Sequence, residues 1–223
     1  MIKVIYFFKR RPGMSVEDFQ AHWRTTHAEI IAALPGIRRY VQNHVLPSAY
    51  RKGEPAFDGV AESWFDDTRA LKALASTPQY AAVLADEPKF IDATTMGSII
   101  TDEHVIKDGP APAGGIKTVD LVTHKAEMPL ETFFRYWRED HGTLGAASPA
   151  VRRYVQSHTR GAIYAAGRTP AYDGAAMMWF DDMPALRAAA ATPEFERLRA
   201  DVGNFIARDR SPAVLAAEHV VLA

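Results

Sequence analysis

The sequence states itself twice, and this fixes the size of the folding unit before any element is assigned. Phe19-Gln20-Ala21-His22-Trp23-Arg24-Thr25-Thr26-His27 returns as Phe133-Phe134-Arg135-Tyr136-Trp137-Arg138-Glu139-Asp140-His141, an offset of 114. Arg38-Arg39-Tyr40-Val41-Gln42-Asn43-His44 returns as Arg152-Arg153-Tyr154-Val155-Gln156-Ser157-His158 at the same offset. Asp58-Gly59 and Trp64-Phe65-Asp66-Asp67 return as Asp173-Gly174 and Trp179-Phe180-Asp181-Asp182, now at 115. Glu103-His104-Val105 and Glu218-His219-Val220 close the copies. A period of this size is a whole small domain, far beyond a solenoid repeat. The chain therefore reads as two fused domains of one fold, 1–107 and 116–223, joined by a Pro/Gly/Ala-rich linker over 108–115.

Composition removes several classes of function. A formal net charge of −1, with both signs interspersed, offers no positive field to hold a nucleic acid or an anionic membrane. No run approaches the roughly 18 apolar residues of a membrane span, and the first residues lack a signal-peptide pattern, so a cytoplasmic protein is expected. The absence of cysteine excludes disulfides, thiolate nucleophiles and thiolate metal sites.

Within the first copy, residues 2–9 form a β-branched and aromatic run that predicts a strand. Ser15 is placed as a helix N-cap with Asp18 three positions on. Phe19, Trp23, Ile30 and Leu34 then fall on one helical face, and Pro35-Gly36 ends the helix. Strands are predicted over 37–46 and 59–65, a helix over 68–84 divided at Pro78, and a last strand over 98–106. The order is βαββαβ. Two helices then cover one face of an antiparallel sheet, an α+β split-βαβ layout whose other face a second copy can cover.

At Phe19, Trp23 and His27, at Arg39-Tyr40-Val41-Gln42-Asn43-His44, at Asp58 to Asp66 and at Glu103-His104-Val105, each copy resembles the EthD family of the dimeric α+β barrel superfamily. The resemblance covers nearly all of both copies. It implies tandem ferredoxin-like domains whose sheets pair into a barrel within one chain, an internal pseudo-dimer, with a further homodimer left open. It also implies work on small organic compounds, in catabolism or in aromatic polyketide pathways. The wider superfamily spans muconolactone isomerases, cofactor-free quinol-type monooxygenases, polyketide cyclases and haem enzymes such as dye-decolourising peroxidases and chlorite dismutases. One fold with so many reactions does not name the reaction.

The candidate chemistry lies in histidine, tyrosine and one carboxylate. His27 and His141 each follow a tryptophan by four residues on the apolar helix side, aimed into a cavity or capping the helix end. Tyr40, Gln42 and His44, and likewise Tyr154, Gln156 and His158, share one strand face, as a pocket wall or as a solvated side. Glu62 lies in an apolar strand on the side of Trp64, as an acid/base group or as an ion-pair partner of Arg38 or Arg39; Met177 takes its place in the second copy. If Glu62 is essential, the N-terminal site is competent and the C-terminal one altered. The expectation is an oxidoreductase or isomerase acting on a small apolar or aromatic molecule without a nucleotide cofactor. His27, His44, Tyr40 and Glu62 would be its acid/base groups. Trp23, Trp64, Gln42, Trp137, His141, Tyr154, His158 and Trp179 would be its binding residues. No histidine spacing suits a metal. The alternatives are a non-catalytic protein that binds a pathway intermediate and a haem-dependent oxidoreductase, for which His27, His44 or His104 would be axial candidates.

Overall fold

The computed structural model describes residues 1–51 and 53–223, Lys52 lying outside them. Residue contacts divide the chain into two units, Met1–Thr101 with Glu218–Ala223, and Asp102–Ala217.

In the first unit β1 (Ile2–Phe8) is followed by α1 (Val16–His22), a π-helical turn over Trp23–His27 and α2 (Ala28–Ala32). Then come β2 (Ile37–Val45), β3 (Gly59–Phe65), α3 (Thr68–Ala73), α4 (Pro78–Asp86) and β4 (Gly97–Lys107). β1 pairs antiparallel with β3 and β4, and β2 with β3, in the βαββαβ order that the sequence predicts. The second unit repeats this with β5 (Ile116–Val122), α5 (Leu130–Tyr136), a second π turn over Trp137–His141 and α6 (Gly142–Ala147). β6 (Arg153–Thr159), α7 (Gly161–Ala165), β7 (Gly174–Phe180), α8 (Met183–Ala190), α9 (Pro193–Phe205) and β8 (Ala213–Leu222) complete it. Within each copy the strands hydrogen-bond antiparallel, in the order β4-β1-β3-β2 in the first and β8-β5-β7-β6 in the second. Among the described residues no helix is long and apolar enough to cross a membrane.

Ser15 caps α1 as expected, its side chain accepting from the Asp18 N–H at 3.0 Å. The helix that follows departs from the 3.6-residue reading. A π turn closes i→i+5 bonds and so takes up one residue more than an α turn. The apolar phase slips by that residue after Trp23, and Ile31, 8% exposed, packs inward in place of Ile30. Phe8, Phe19, Trp23 and Phe90 stack edge to face or tilted, with centroids 5.1–6.5 Å apart, to join helices to sheet. In the second unit Phe133, Trp137 and Phe205, all on helical segments, pack tilted on one another, with centroids 5.4 and 5.9 Å apart. The indoles lie close on the sheet because Gly59 and Gly174 are under them: a Cβ would meet Trp23 Cζ3 at 2.7 Å and Trp137 Cζ3 at 2.8 Å.

Candidate active-site cavities

Each unit encloses a cavity between its helices and the covered face of its sheet. The first, of about 220 Å³, is lined by Tyr6, His27, Tyr40 and Ser63 among apolar side chains such as Ile31 and Leu74. The second, of about 330 Å³, is lined by Asp120, Trp137, His141 and Tyr154 with Met178, Phe195 and Leu198. His27 and His141 are the last residues of the two π turns. With about 4.4 residues to a π turn, a residue four places after the buried tryptophan stays on the same inward face. Both imidazoles are accordingly buried.

Each of these histidines is held by a carboxylate from the second helical segment of its unit. His27 Nδ1 lies 3.0 Å from Asp86 Oδ2, and His141 Nδ1 lies 2.7 Å from Asp201 Oδ2. Asp86 also meets His22 Nε2 at 3.0 Å and Lys89 Nζ at 3.2 Å. Asp201 accepts from the Tyr136 hydroxyl at 2.5 Å and from Asn204 Nδ2 at 2.8 Å. His22 and Tyr136, unlike residues at one repeat position, thus share one task. Burial opposes both carboxylates, but these bonds outweigh it and hold Asp86 and Asp201 below the usual range. Burial lowers His27 and His141, with the carboxylate opposing. The imidazoles are neutral near pH 7, Nδ1–H donates to the carboxylate, and the lone pair is on Nε2. Among the described residues no protein group bonds Nε2 of either ring, and both rings line their cavities.

Tyr40 is aimed by the indole behind it. Trp23 Nε1 donates to the Tyr40 hydroxyl at 3.1 Å, so the tyrosine oxygen accepts there and its own proton is left for the cavity. Burial pushes the Tyr40 hydroxyl up to about 12, which keeps that proton in place. Gln42 Nε2 donates to the Trp23 carbonyl at 2.7 Å, and its Oε1 accepts from His44 Nε2 at 2.9 Å. The second unit copies this with Gln156, Trp137 and His158, and there Gln156 Nε2 also donates to the Tyr154 hydroxyl at 2.8 Å. His44 lies against the Trp23 ring at 4.4 Å, and His158 stacks on Trp137 at 4.6 Å. Burial lowers both to about 3. Neither lines these two cavities, so both support the tryptophan and the tyrosine from behind.

Glu62 is elsewhere than expected. Strand alternation puts Ala61, Ser63 and Phe65 on the cavity face and Glu62 and Trp64 on the other. Its cationic partner is Lys3, with Nζ at 2.5 Å, rather than Arg38 or Arg39, and Asn43 Nδ2 donates to it at 2.9 Å. Arg38 bonds Asp66, and the Arg39 guanidinium lies 5.0 Å from the Trp64 ring centre. In the second unit Lys117 Nζ lies 4.3 Å from the Trp179 ring centre, on the face of Met177. Glu62, Trp64 and Trp179 are therefore not brought together with His27, Tyr40, His141 and Tyr154. Glu62 is an ion-pair member in this fold, and its replacement by Met177 leaves the chemistry of the second cavity untouched.

Two sets of functional residues escape a reading by spacing alone. Asp86 and Asp201 occupy one repeat position, each followed four residues on by Phe90-Ile91 or Phe205-Ile206, and that coincidence is the signal that marks them. Asp120 sits mid-strand in β5, where Tyr6 stands in β1. The same geometry bears on metal and haem. Among the described residues no group of three or more histidines and carboxylates is placed to hold a metal ion. A haem needs an axial imidazole facing a void of tetrapyrrole size. His27 and His141 face about 220 and 330 Å³, at or below the small end of ligand cavities of roughly 300–1,000 Å³, and do not fit it.

The family model described as the EthD domain matches residues 11–94 and again 125–209. An anthrone oxidase-like protein of solved structure superposes with TM-score 0.66 at 11% identity, over 99% of this chain and 93% of its own. A mutant chlorite dismutase from Candidatus Nitrospira defluvii gives TM-score 0.53 at 9% identity, over 97% and 91%. An ethyl tert-butyl ether D family protein from Bacillus halodurans is 25% identical over 47% of this chain and 99% of its own, with TM-score 0.39. No curated protein matches the sequence.

Proposed function

Since the chain belongs to the EthD family and carries its domain twice, we propose that it is an enzyme that deprotonates a small aromatic or apolar substrate in its helix–sheet cavities. The observation that supports this is the repeated carboxylate–imidazole pair on a cavity wall, Asp86–His27 and Asp201–His141. In this reading His27 Nε2 takes a proton from carbon or oxygen, and Asp86 stabilises the imidazolium that forms. The Tyr40 hydroxyl donates to the oxygen on which negative charge develops. The product is an enolate or phenolate, the species that isomerases and oxygenases without a nucleotide cofactor work on. The apolar walls select a flat, weakly polar molecule, and the name of the anthrone oxidase-like neighbour suggests a tricyclic ketone as first probe.

The test is the consumption of anthrone in air by the full chain and by the His27→Gln, His141→Gln double variant. The expected result is acceleration over buffer, lowered in the double variant, with the share of the first cavity lost about 100-fold or more. Equal rates for the two proteins would refute the reading. Anthrone bound and returned unchanged would make the chain a binding protein.

A further inference from the structure

Asp120 has the placement of a second base that the paired histidines do not account for. It stands on β5 opposite Ala176 of β7 and Ala213 of β8, so both neighbouring strands present only a methyl group beside the carboxyl. The carboxyl faces the second cavity, whose other walls are largely apolar. Among the described residues no cation pairs with it. In the first unit the same register position is Tyr6, opposite Ala61, so the acid belongs to the second cavity alone. Across β7, on β6, the Tyr154 oxygen accepts from Gln156 Nε2 and keeps its own proton to donate. The floor between carboxyl and hydroxyl is Ala176 and Met178, so that Asp120 and Tyr154 are two strand spacings across and two residues along from each other, roughly 12 Å between their Cα atoms.

We propose that the second cavity is a proton-transfer site for a small aromatic ketone, with the Asp120 carboxylate as its base and the Tyr154 hydroxyl as donor to the ketone oxygen. The proposal rests on the reading of the cavities as reaction sites and adds to it which group acts in the second. The C–H bond beside the carbonyl breaks, its proton passes to an Asp120 oxygen, and its electron pair forms the enolate. The enolate oxygen accepts from Tyr154. Return of a proton from Asp120 to carbon restores the ketone and the carboxylate, so no oxidant or reductant is consumed. Burial raises Asp120 to about 6, with a Thr118 bond opposing, so the carboxylate prevails at pH 8. The titratable and charged groups facing the same cavity are Tyr154 on β6, His141 of the π turn, Arg199 on α9 and Arg208 after it.

The experiment is exchange of the activated C–H of 2-tetralone for deuterium in D₂O, followed by proton NMR with the full chain. A His27→Gln background silences the first cavity. There the exchange is expected to rise with pH through a midpoint near 6 and to fall about 100-fold or more on Asp120→Asn. Asp120→Ser is read beside it should the asparagine variant fail to fold. Exchange unchanged by Asp120→Asn but lost on His141→Gln overturns the role of Asp120 and leaves the histidine reading standing. Wild-type protein that does not accelerate exchange at all overturns both.

Discussion

Where the first cavity has Tyr6 the second has Asp120, and where the first has Glu87 the second has Val202. The walls carrying His27 and His141, Asp86 and Asp201, and Tyr40 and Tyr154 are the same. Each cavity thus has one further carboxyl beyond its carboxylate–imidazole pair, on the helical side in the first and on the sheet in the second. Burial raises both, Glu87 with help from Asp86. Duplication kept the imidazole device and moved the second acid. A base on the opposite wall meets a different atom of a bound molecule, so the two cavities are expected to differ in which proton they take.

The comparison breaks most visibly at the two bases. His27→Gln in the first cavity and Asp120→Asn in the second are each expected to remove the turnover of their own cavity by about 10²- to 10⁴-fold, and single-variant kinetics would apportion the two. If either substitution alone abolished all activity, the cavities would not be independent sites.

Next in size is the buried ion pair on the other face of the first sheet. Glu62→Gln removes the carboxylate 2.5 Å from Lys3 and is expected to destabilise the chain by about 3–5 kcal/mol in urea unfolding. The double change Lys3→Met, Glu62→Met is expected to recover most of that, because apolar replacement of a buried pair is often neutral. An unchanged midpoint for Glu62→Gln would show the pair to be dispensable.

A third test uses pH. Asp120 has a raised native pKa, so its ionisation disfavours the fold, and stability is lost as pH climbs from the unfolded value of about 4 through about 6. Asp120→Asn removes that loss. Its advantage over wild type is expected to grow by about 2–3 kcal/mol between pH 4 and pH 7.5, an upper figure from a shift of about two units. His27, His44, His141 and His158 have the opposite sign: their native pKa values are lowered, so their contribution is full above about 6.5 and is lost as pH falls. Melting temperatures across pH 4–8 would separate the two trends, and a pH-independent difference for Asp120→Asn would refute its raised value.

The smallest effect is expected at the surface. Arg38→Ala and Arg152→Ala break exposed pairs with Asp66 and Asp181, and each is expected to shift stability by less than about 1 kcal/mol.

The sequence carries the architecture because strands and helices follow from periodicity, and periodicity survived duplication. The βαββαβ order, the Ser15 cap and the break at Pro78 are all legible in it. The inward phase after Trp23 is not, since a π turn leaves no mark in the composition of Trp-Arg-Thr-Thr-His. His27 and Tyr40 are legible as a wall because helix and strand faces are local. Asp86, 59 residues from His27, is not, since their 3.0 Å contact is made by packing rather than by spacing. Glu62 misleads because a mid-strand carboxylate looks the same on either face, and only the register with Lys3 decides it. The mid-strand acid of β5 is the same kind of signal, and there it marks Asp120 on the cavity side.

A neutral imidazole in each unit, fixed through Nδ1 and open at Nε2, is the feature on which both cavities depend. Nitrogen-15 NMR of the histidine rings in the full chain at pH 7.5, with and without 2-tetralone, tests this directly. The predicted result is the Nδ1–H tautomer for His27 and His141, with both Nε2 resonances moving on addition of the ketone. Nε2–H tautomers, or Nε2 signals indifferent to the ketone, would contradict it.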